Sequence, residues 1–307
     1  MGETDESKAR YGVLCGIAAY GMWGVFPLYF KAVGRVAPLE VLAHRAMWSF
    51  VMLAVLVGVL RRWGELWREL RSAKLVLMLA LSTSLVAANW LIYIYAVQTG
   101  QVVQSSLGYF INPLVNVLLG LLLLGERWRP LQAVSLTLAL AGVLLFAGLV
   151  GGVPWIALSL ALTFAFYGLM RKIIPVDGLV SLTVETLLMA PVALAYFAYL
   201  VAKKQSASGD FGMLGLLVLS GPVTTVPLLF FGAAAHRIRL STMGVLQYLS
   251  PTLQFLLAVT VFREPFSMAQ GLSFGLIWTA IAVYAADSFH AVRQAQLALV
   301  EPFGGDP

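Results

Sequence analysis

SSLGYFINPLVNVLLGLLLLGE, residues 105–126, returns in related form as MGVLQYLSPTLQFLLAVTVFRE, residues 243–264. A shift of 138 residues places Pro113 on Pro251 and Glu126 on Glu264. The same shift places Asn112 on Ser250 and Asn116 on Gln254. A chain that uses one segment twice is built from two related halves, and this duplication decides the fold.

The composition predicts that both halves lie in lipid. The chain is 60% hydrophobic and 11% charged, whereas a soluble domain is roughly 45–50% apolar and about 25% charged. Its basic residues lie between apolar runs, so the net charge of +6 indicates membrane topology and argues against a nucleic-acid partner. Cys15 is the only cysteine, which excludes an internal disulfide and a cysteine-based metal site. We expect no metal and no cofactor.

Ten apolar runs are long enough to span the hydrocarbon core, which takes about 20 helical residues. Only helices and closed barrels satisfy the backbone in lipid, and these runs are too long and too uniformly apolar for barrel strands. We therefore predict an all-α membrane protein with ten transmembrane helices at residues 11–31, 38–60, 75–97, 102–124, 131–149, 154–172, 178–202, 212–235, 241–262 and 268–288.

The basic residues predict the orientation. Fourteen of the 20 Lys and Arg residues fall on the side of the N-terminus and five on the other side, so the positive-inside rule places both termini in the cytoplasm. Five spans per half is an odd number, so the second half enters the membrane from the opposite side. We predict two inverted five-helix repeats around a central cavity, at residues 11–149 and 150–288, with cytoplasmic tails at 1–10 and 289–307.

Pro113 and Pro251 are predicted helix breaks at matching points of the fourth and ninth spans. Each proline lacks an N–H and frees the carbonyl four residues earlier, at Tyr109 and Gln247. Freed carbonyls inside a membrane are tolerated where they line a cavity, and paired breaks indicate a substrate site. The alternative is that both prolines only kink their helices for packing.

Polar and aromatic side chains cluster around these prolines, and we take them as candidates for substrate binding. Asn112 and Asn116, four residues apart on one helix face, are the best of them. Trp23 and Trp90 could stack on a flat ligand. The alternative for the amides is hydrogen bonding between helices, worth about 0.6–2 kcal/mol each. The candidates are Tyr20, Trp23, Asn89, Trp90, Tyr93, Tyr109, Asn112, Asn116, Tyr167, Thr224, Gln247, Tyr248 and Gln254.

Arg45 and Glu185 are the clearest charges within predicted spans, and such charges are functional candidates for gating or coupling. They enter the membrane from opposite faces, so we expect no direct salt bridge between them. We consider a pair of Arg45 with Glu264, and a pair of Glu126 with a basic residue ending the sixth span, as gates or as static structural pairs. Glu185 is the candidate carrier for a coupling proton.

Taken together, these motifs resemble the EamA branch of the drug/metabolite transporter superfamily, most closely its RarD-type permeases. The resemblance implies a basket of ten helices around a central cavity and transport of small metabolites or drug-like solutes. It also implies that spans one, three, four, six, eight and nine line the cavity. The matching stretches include His44-Arg45, Asn89-Trp90, residues 106–116, residues 164–168, Glu185-Thr186-Leu187, residues 224–227, and Gln247-Tyr248 with Pro251-Thr252.

We therefore predict a secondary transporter of the cell inner membrane that works by alternating access, with the lipid bilayer and a small-molecule substrate as partners. The alternatives are a uniporter or channel-like facilitator, and a membrane sensor that binds ligand without flux. An enzyme is not expected, because three histidines and one cysteine supply neither a catalytic dyad nor a metal cluster.

Overall fold

The computed structural model describes residues 5–123, 130–150, 152–235, 237–238 and 240–300. Within these ranges the chain is helical and contains no β-strand, so the all-α prediction is confirmed. A 3₁₀ turn at Ala207–Gly209 and a π-helical turn at Leu257–Val261 accompany the α-helices. The α-helices are α1 (Asp5–Gly24), α2 (Phe26–Ala32), α3 (Pro38–Val59), α4 (Trp63–Leu70), α5 (Ala73–Gln98), α6 (Val102–Leu123), α7 (Pro130–Val150), α8 (Trp155–Ile173), α9 (Gly178–Ala202), α10 (Phe211–Val218), α11 (Ser220–Ala235), α12 (Leu240–Leu246), α13 (Leu249–Leu256) and α14 (Met268–Val300).

Nine helical stretches of the described chain are long and apolar enough to cross a membrane, and a tenth, Leu249–Val261, is shorter. Each of the ten coincides with one predicted span to within two residues at the ends of the long stretches, except that the shorter stretch covers only the second part of the ninth span, as expected for a ten-helix membrane protein. Helix α14 continues beyond its apolar part and reaches Val300. The nine long stretches are Ala9–Ala32, Pro38–Val59, Ala73–Gln98, Val102–Leu123, Pro130–Leu149, Trp155–Ile173, Gly178–Ala202, Phe211–Ala234 and Met268–Asp287.

Two spans consist of two helices joined at a single residue. Val25 joins α1 to α2 in the first span, and Leu219 joins α10 to α11 in the eighth. Pro27 and Pro222 follow these junctions and have no N–H for the carbonyl four residues earlier. Each junction therefore lies in the helical turn that lacks one backbone hydrogen bond because of the proline.

The ninth span is interrupted at Gln247 and Tyr248, between α12 and α13. Pro251 cannot donate to the Gln247 carbonyl, so the interruption lies where the sequence predicts a break. Helix α6, in contrast, runs through Pro113 without interruption. The break expected at Pro113 does not occur, and the backbone stays helical on both sides of the single lost hydrogen bond.

The packed helix pairs are symmetric between the two halves: replacing each helix by its counterpart in the other half gives the same set of pairs. The second span (α3) packs on the seventh (α9), and the fifth (α7) on the tenth (α14). The fourth span (α6) packs on the sixth (α8), and likewise the ninth (α13) on the first (α1). The first span also packs on the eighth (α11), as the sixth packs on the third (α5). Such an exchange is expected for repeats related by a pseudo-twofold axis in the membrane plane.

The two ends of the bundle carry different loops. We call the end at which α1 begins the basic end; it carries α4 and the loop between α8 and α9. Leu66 of α4 is 1% exposed and docks the helix against a cluster of Leu79, Ile174, Val180 and Val184. The other end, called the opposite end, carries residues 33–37, 99–101, 152–154, 203–210 and 262–267.

Candidate functional site

Arg45 of α3 is the centre of the buried polar site and is 5% exposed. Its Nε donates to Thr224 Oγ1 of α11 at 2.8 Å. Its guanidinium carbon lies 3.9 Å from the centroid of the Trp90 ring, and 5.5 and 5.8 Å from those of Phe30 and Phe26. Attraction to these aromatic rings offsets part of the cost of burying the charge. The site thus joins helices of both halves.

No carboxylate of the described residues forms a salt bridge with Arg45. The pairing with Glu264 that we considered from the sequence is therefore wrong. The Glu264 carboxylate instead accepts hydrogen bonds from the N–H groups of Val102 and Val103, both at 2.8 Å. These N–H groups have no partner within α6, because they lie in its first turn, where a negative charge is also favourable.

Aromatic rings and one amide connect this centre to α6 and α8. The Tyr93 ring contacts those of Phe30 and Tyr109, with centroids 5.7 Å apart in both pairs. The Tyr109 hydroxyl donates to Asn89 Oδ1 at 3.2 Å, and Asn89 Nδ2 donates to the Leu160 carbonyl at 3.0 Å. Asn89, Trp90, Tyr93 and Tyr109 therefore come together, as a shared binding site requires.

Glu185 of α9 lies in a separate buried cluster and is fully buried. Ser82 Oγ of α5 donates to one carboxylate oxygen at 2.7 Å, and the Tyr167 hydroxyl of α8 donates to the other at 3.2 Å. No salt bridge joins this carboxylate to a described residue. The expectation that Arg45 and Glu185 do not pair directly agrees with these contacts.

The amides of the fourth and ninth spans connect the two halves. Asn112 Nδ2 donates to the Ala161 carbonyl at 3.1 Å, and Asn116 Nδ2 donates to Asn112 Oδ1 at 3.2 Å. In the other half, Gln254 Nε2 donates to the Trp23 carbonyl at 3.2 Å and to Ser250 Oγ at 3.1 Å. Asn112 and Gln254 thus donate to main-chain carbonyls of neighbouring helices. These contacts agree with the alternative considered from the sequence, that the amides form hydrogen bonds between helices.

The remaining candidates lie nearer α1 and the broken ninth span. Tyr20 and Trp23 pack against each other and against Phe231 of α11, with centroids 5.4–6.1 Å apart. Gln247 is half-buried at the helix interruption. The buried hydroxyl of Tyr248 makes no hydrogen bond to a described residue. These side chains do not contact the guanidinium of Arg45.

A cavity of about 220 Å³ opens between α6 and α8. The helices touch toward the opposite end, where a Cβ added at Gly108 would lie 2.6 Å from the Ala157 carbonyl oxygen. They separate toward the basic end, where a Cβ at Gly168 would meet no atom within 4 Å. The cavity is lined by Asn116, Leu119, Gly120, Ala165, Gly168, Leu169 and Lys172.

Each end of the bundle is held by polar contacts between the halves. At the basic end, Arg62 donates to Asp177 Oδ1 at 2.9 Å. At the opposite end, Glu40 accepts from the Ala207 N–H at 2.9 Å, in addition to the Glu264 contacts. Glu126, the other predicted gating residue, lies outside the described residues.

Sequence reasoning missed several members of these clusters. Ser82 gave no signal, because a serine in an apolar helix more often bonds to its own backbone. Phe26 and Phe30 gave a partial signal, since they are four residues apart and so share one helix face. Only the structure shows that this face lies beside Arg45. Among the described residues, no group of three or more His, Cys, Asp or Glu side chains could hold a metal ion.

Comparisons with known proteins agree with this architecture. The EamA-like transporter family matches residues 10–148. The chain is 45% identical over 292 residues to "Protein RarD" of Salmonella typhi, covering 94% of this chain and 99% of that protein. It is 44% identical over 297 residues to an "Uncharacterized transporter" of Vibrio cholerae, covering 95% and 98%.

A solved structure titled "Crystal structure of protein" superposes with a TM-score of 0.57, covering 89% of this chain and 95% of that one. At 21% identity, it supports the fold alone. The relatives extend over nearly the whole chain, including the segments that carry Arg45, Glu185 and Thr224. The chain therefore belongs to the EamA-like transporter family, in the branch of the RarD proteins.

Proposed function

We propose that the protein is a secondary transporter of the inner membrane that moves small organic solutes by alternating access, with both termini in the cytoplasm. One observation carries the proposal: the buried polar centre is formed by both halves, since Arg45 and Trp90 come from the first and Thr224 from the second. A site between two repeats changes its access when the repeats rock against each other.

The cavity between α6 and α8 and the Glu264 contact at the opposite end support such a movement. The cavity between α6 and α8 widens toward the basic end, which the positive-inside rule places in the cytoplasm. The Glu264 carboxylate closes the opposite end by holding the first turn of α6. In this proposal, opening the opposite end separates Glu264 from α6, while the cavity between α6 and α8 closes.

Glu185 is the proton-binding group in the proposed mechanism. Its carboxylate accepts hydrogen bonds from Ser82 of α5 and Tyr167 of α8 and so joins α9 to both helices. A buried acid held by neutral hydroxyl groups can exchange a proton without breaking a salt bridge. Acids of this kind mark proton pathways in transporters.

The test is counterflow in liposomes that contain the purified full chain. A panel of amino acids and small organic acids and amides is first screened for thermal stabilisation, since a ligand at about 100 times its Kd adds roughly 2.7 kcal/mol. The best compound is then loaded unlabelled into the liposomes, and entry of the labelled compound is followed. We expect saturable, transiently concentrative entry that protein-free liposomes lack.

The alternatives give different results in the same assay. A channel-like facilitator would carry flux without acceleration by solute on the far side. A sensor would be stabilised by the compound and would carry no flux. Either result would contradict the proposal.

A further inference from the structure

The guanidinium of Arg45 has donor groups that the chain does not use. Of its five N–H bonds, the one on Nε donates to Thr224, and no other hydrogen bond joins this side chain to a described residue. Trp90 covers one face of the group. The edge with the two terminal nitrogens, Nη1 and Nη2, therefore makes no hydrogen bond to a described residue, and such an edge can bind a carboxylate through two parallel hydrogen bonds.

Two buried hydroxyl groups near Arg45 also have no partner among the described residues. The Tyr93 hydroxyl belongs to a side chain that is 3% exposed and whose ring contacts Phe30, one of the rings beside the guanidinium. Ser49 lies one helical turn beyond Arg45 on α3, is fully buried, and its Oγ makes no hydrogen bond. Buried hydroxyl groups of native proteins normally have partners, so both are suited to a polar ligand.

The other surfaces around the guanidinium are aromatic. Trp90, Phe30 and Phe26 surround it, and the Tyr93 ring extends this apolar wall from Phe30 to Tyr109. Flat rings offer stacking surface to a flat apolar group and little hydrogen bonding to a sugar or a peptide. One cationic edge and an aromatic wall thus favour a ligand with one anionic and one flat apolar part.

We propose that Arg45 is the anion-binding residue of the central site and that the transported solute is a small carboxylate with a flat apolar body. This inference rests on the proposed transport function and narrows it to a substrate class. Arg45 binds the carboxylate through Nη1 and Nη2, Thr224 fixes the plane of the guanidinium, and the aromatic wall holds the body of the solute.

The test compares acids with uncharged amides of the same shape. Benzoate, hydrocinnamate and indoleacetate, each beside its amide, are titrated against the full chain in detergent. We expect the wild type to bind at least one acid and to discriminate against its amide. In Arg45→Gln the Kd for that acid should rise roughly 10- to 100-fold, the loss expected for a hydrogen bond to a charged group. Arg45→Lys should recover only part of the affinity, because an ammonium group lacks the planar fork.

A second variant keeps the test decisive if Arg45→Gln does not fold. Thr224→Val removes the hydroxyl that orients Nε and should weaken acid binding several-fold. Thr183→Val is its matched control: that hydroxyl donates to the Leu179 carbonyl of its own helix, away from the site, and acid binding should not change. A merely structural role for Arg45 predicts equal losses for acid and amide.

Counterflow of the same compounds separates this inference from the transport proposal. Exchange of amides but not of acids would overturn the anion site and leave transport standing. Acid binding that depends on Arg45 but comes without flux of any compound would support the site and contradict transport. Failure of every acid to bind, or unchanged acid binding in Arg45→Gln and Thr224→Val, would overturn the inference.

Discussion

Glu185 combines full burial with neutral hydrogen-bond partners, Ser82 and Tyr167. Glutamine in its place keeps one oxygen that accepts one of these hydrogen bonds, while its amide group can donate to the other hydroxyl oxygen, but it cannot release a proton. We therefore expect Glu185→Gln to retain ligand binding and to lose the response of counterflow or uptake to an imposed pH gradient. The measurement is uptake into liposomes with and without the gradient.

A control for this variant is Ser82→Ala, which removes one donor and leaves the acid in place. It should change the pH at which uptake responds without abolishing the response. Uptake by Glu185→Gln that still follows the gradient would show that Glu185 is structural and that any proton moves elsewhere.

The contact of Gln254 with the Trp23 carbonyl has a local cause. Pro27 has no N–H for that carbonyl, so the amide of Gln254 satisfies it across the interface. Gln254→Met should reduce the free energy of unfolding by about 1 kcal/mol, as interhelical hydrogen bonds in membranes do. In a Pro27→Ala background, where residue 27 again has an N–H, the same substitution should cost less.

Thermal unfolding of the four proteins in detergent measures this coupling as a double-mutant cycle. Equal costs of Gln254→Met in both backgrounds would mean that the proline does not create the need for the amide.

At the scale of the element, the end of the ninth span has a strained residue. Arg263 has a φ of +53°, in the left-handed region that favours glycine. The matching residue of the first copy is Gly125, which lies outside the described residues. A left-handed φ costs a non-glycine residue about 1 kcal/mol of conformational free energy. Arg263→Gly should therefore raise the free energy of unfolding by about 0.5–1 kcal/mol.

The matched control is a pair of lysines after α9. Lys204 has a φ of +56°, whereas Lys203 has a helical φ of −83°. Lys204→Gly should stabilise the protein as Arg263→Gly does, and Lys203→Gly should not. Melting temperatures in detergent give the comparison, and a lower value for Arg263→Gly would refute the strain argument.

The two repeated prolines show why an element's sequence does not fix its backbone. Pro251 follows an interruption, whereas Pro113 lies within a continuous helix, although each removes the same backbone hydrogen bond. The neighbours are similar, since Gly108 brings α6 against α8 and Gly24 brings α1 against Leu253 of α13, so the lost hydrogen bond does not by itself determine whether the helix is interrupted.

Across the whole molecule, Arg62 joins the two halves at the basic end by bonding to both Glu65 and Asp177. Burial alone would raise the pKa of Asp177, but the hydrogen bonds from Arg62 and from backbone N–H groups lower it below 3.8. The hydrogen bond from Arg62 also lowers the pKa of Glu65 below 4.5. Carboxylates with lowered pKa values contribute stability that is complete above their unfolded pKa and disappears as pH falls through the folded value.

We therefore expect Arg62→Gln to melt at a lower temperature than the wild type above pH 4.5, and the difference to vanish as pH falls below 3.8. The effect should be small, because both ion pairs are largely solvated. Arg68→Gln is the control: Arg68 pairs with the adjacent Glu69 and is the smallest of the influences on Glu65, so its removal should change the melting temperature less with pH than Arg62→Gln does. A difference that grows on acidification would contradict the assignment.

The orientation of the whole molecule can be tested because Cys15 is the only cysteine and is buried. In a Cys15→Ala background, Gln205→Cys and Arg68→Cys place single exposed thiols at the opposite and basic ends. On intact cells an impermeant maleimide should label residue 205, and residue 68 should react only after permeabilisation. The reverse pattern would place the termini outside.

The sequence by itself determined the lipid environment, the all-α class and the positions of the ten spans, because composition and run length are local properties. It also marked Arg45, Glu185 and Glu264 as unusual charges in or beside those spans. Only the tertiary structure decided their partners. Thr224 and Trp90 contact Arg45, while Glu264 caps α6. The physical reason is that a partner depends on the rotation and depth of each helix against its neighbours, and a uniformly apolar sequence leaves both unspecified.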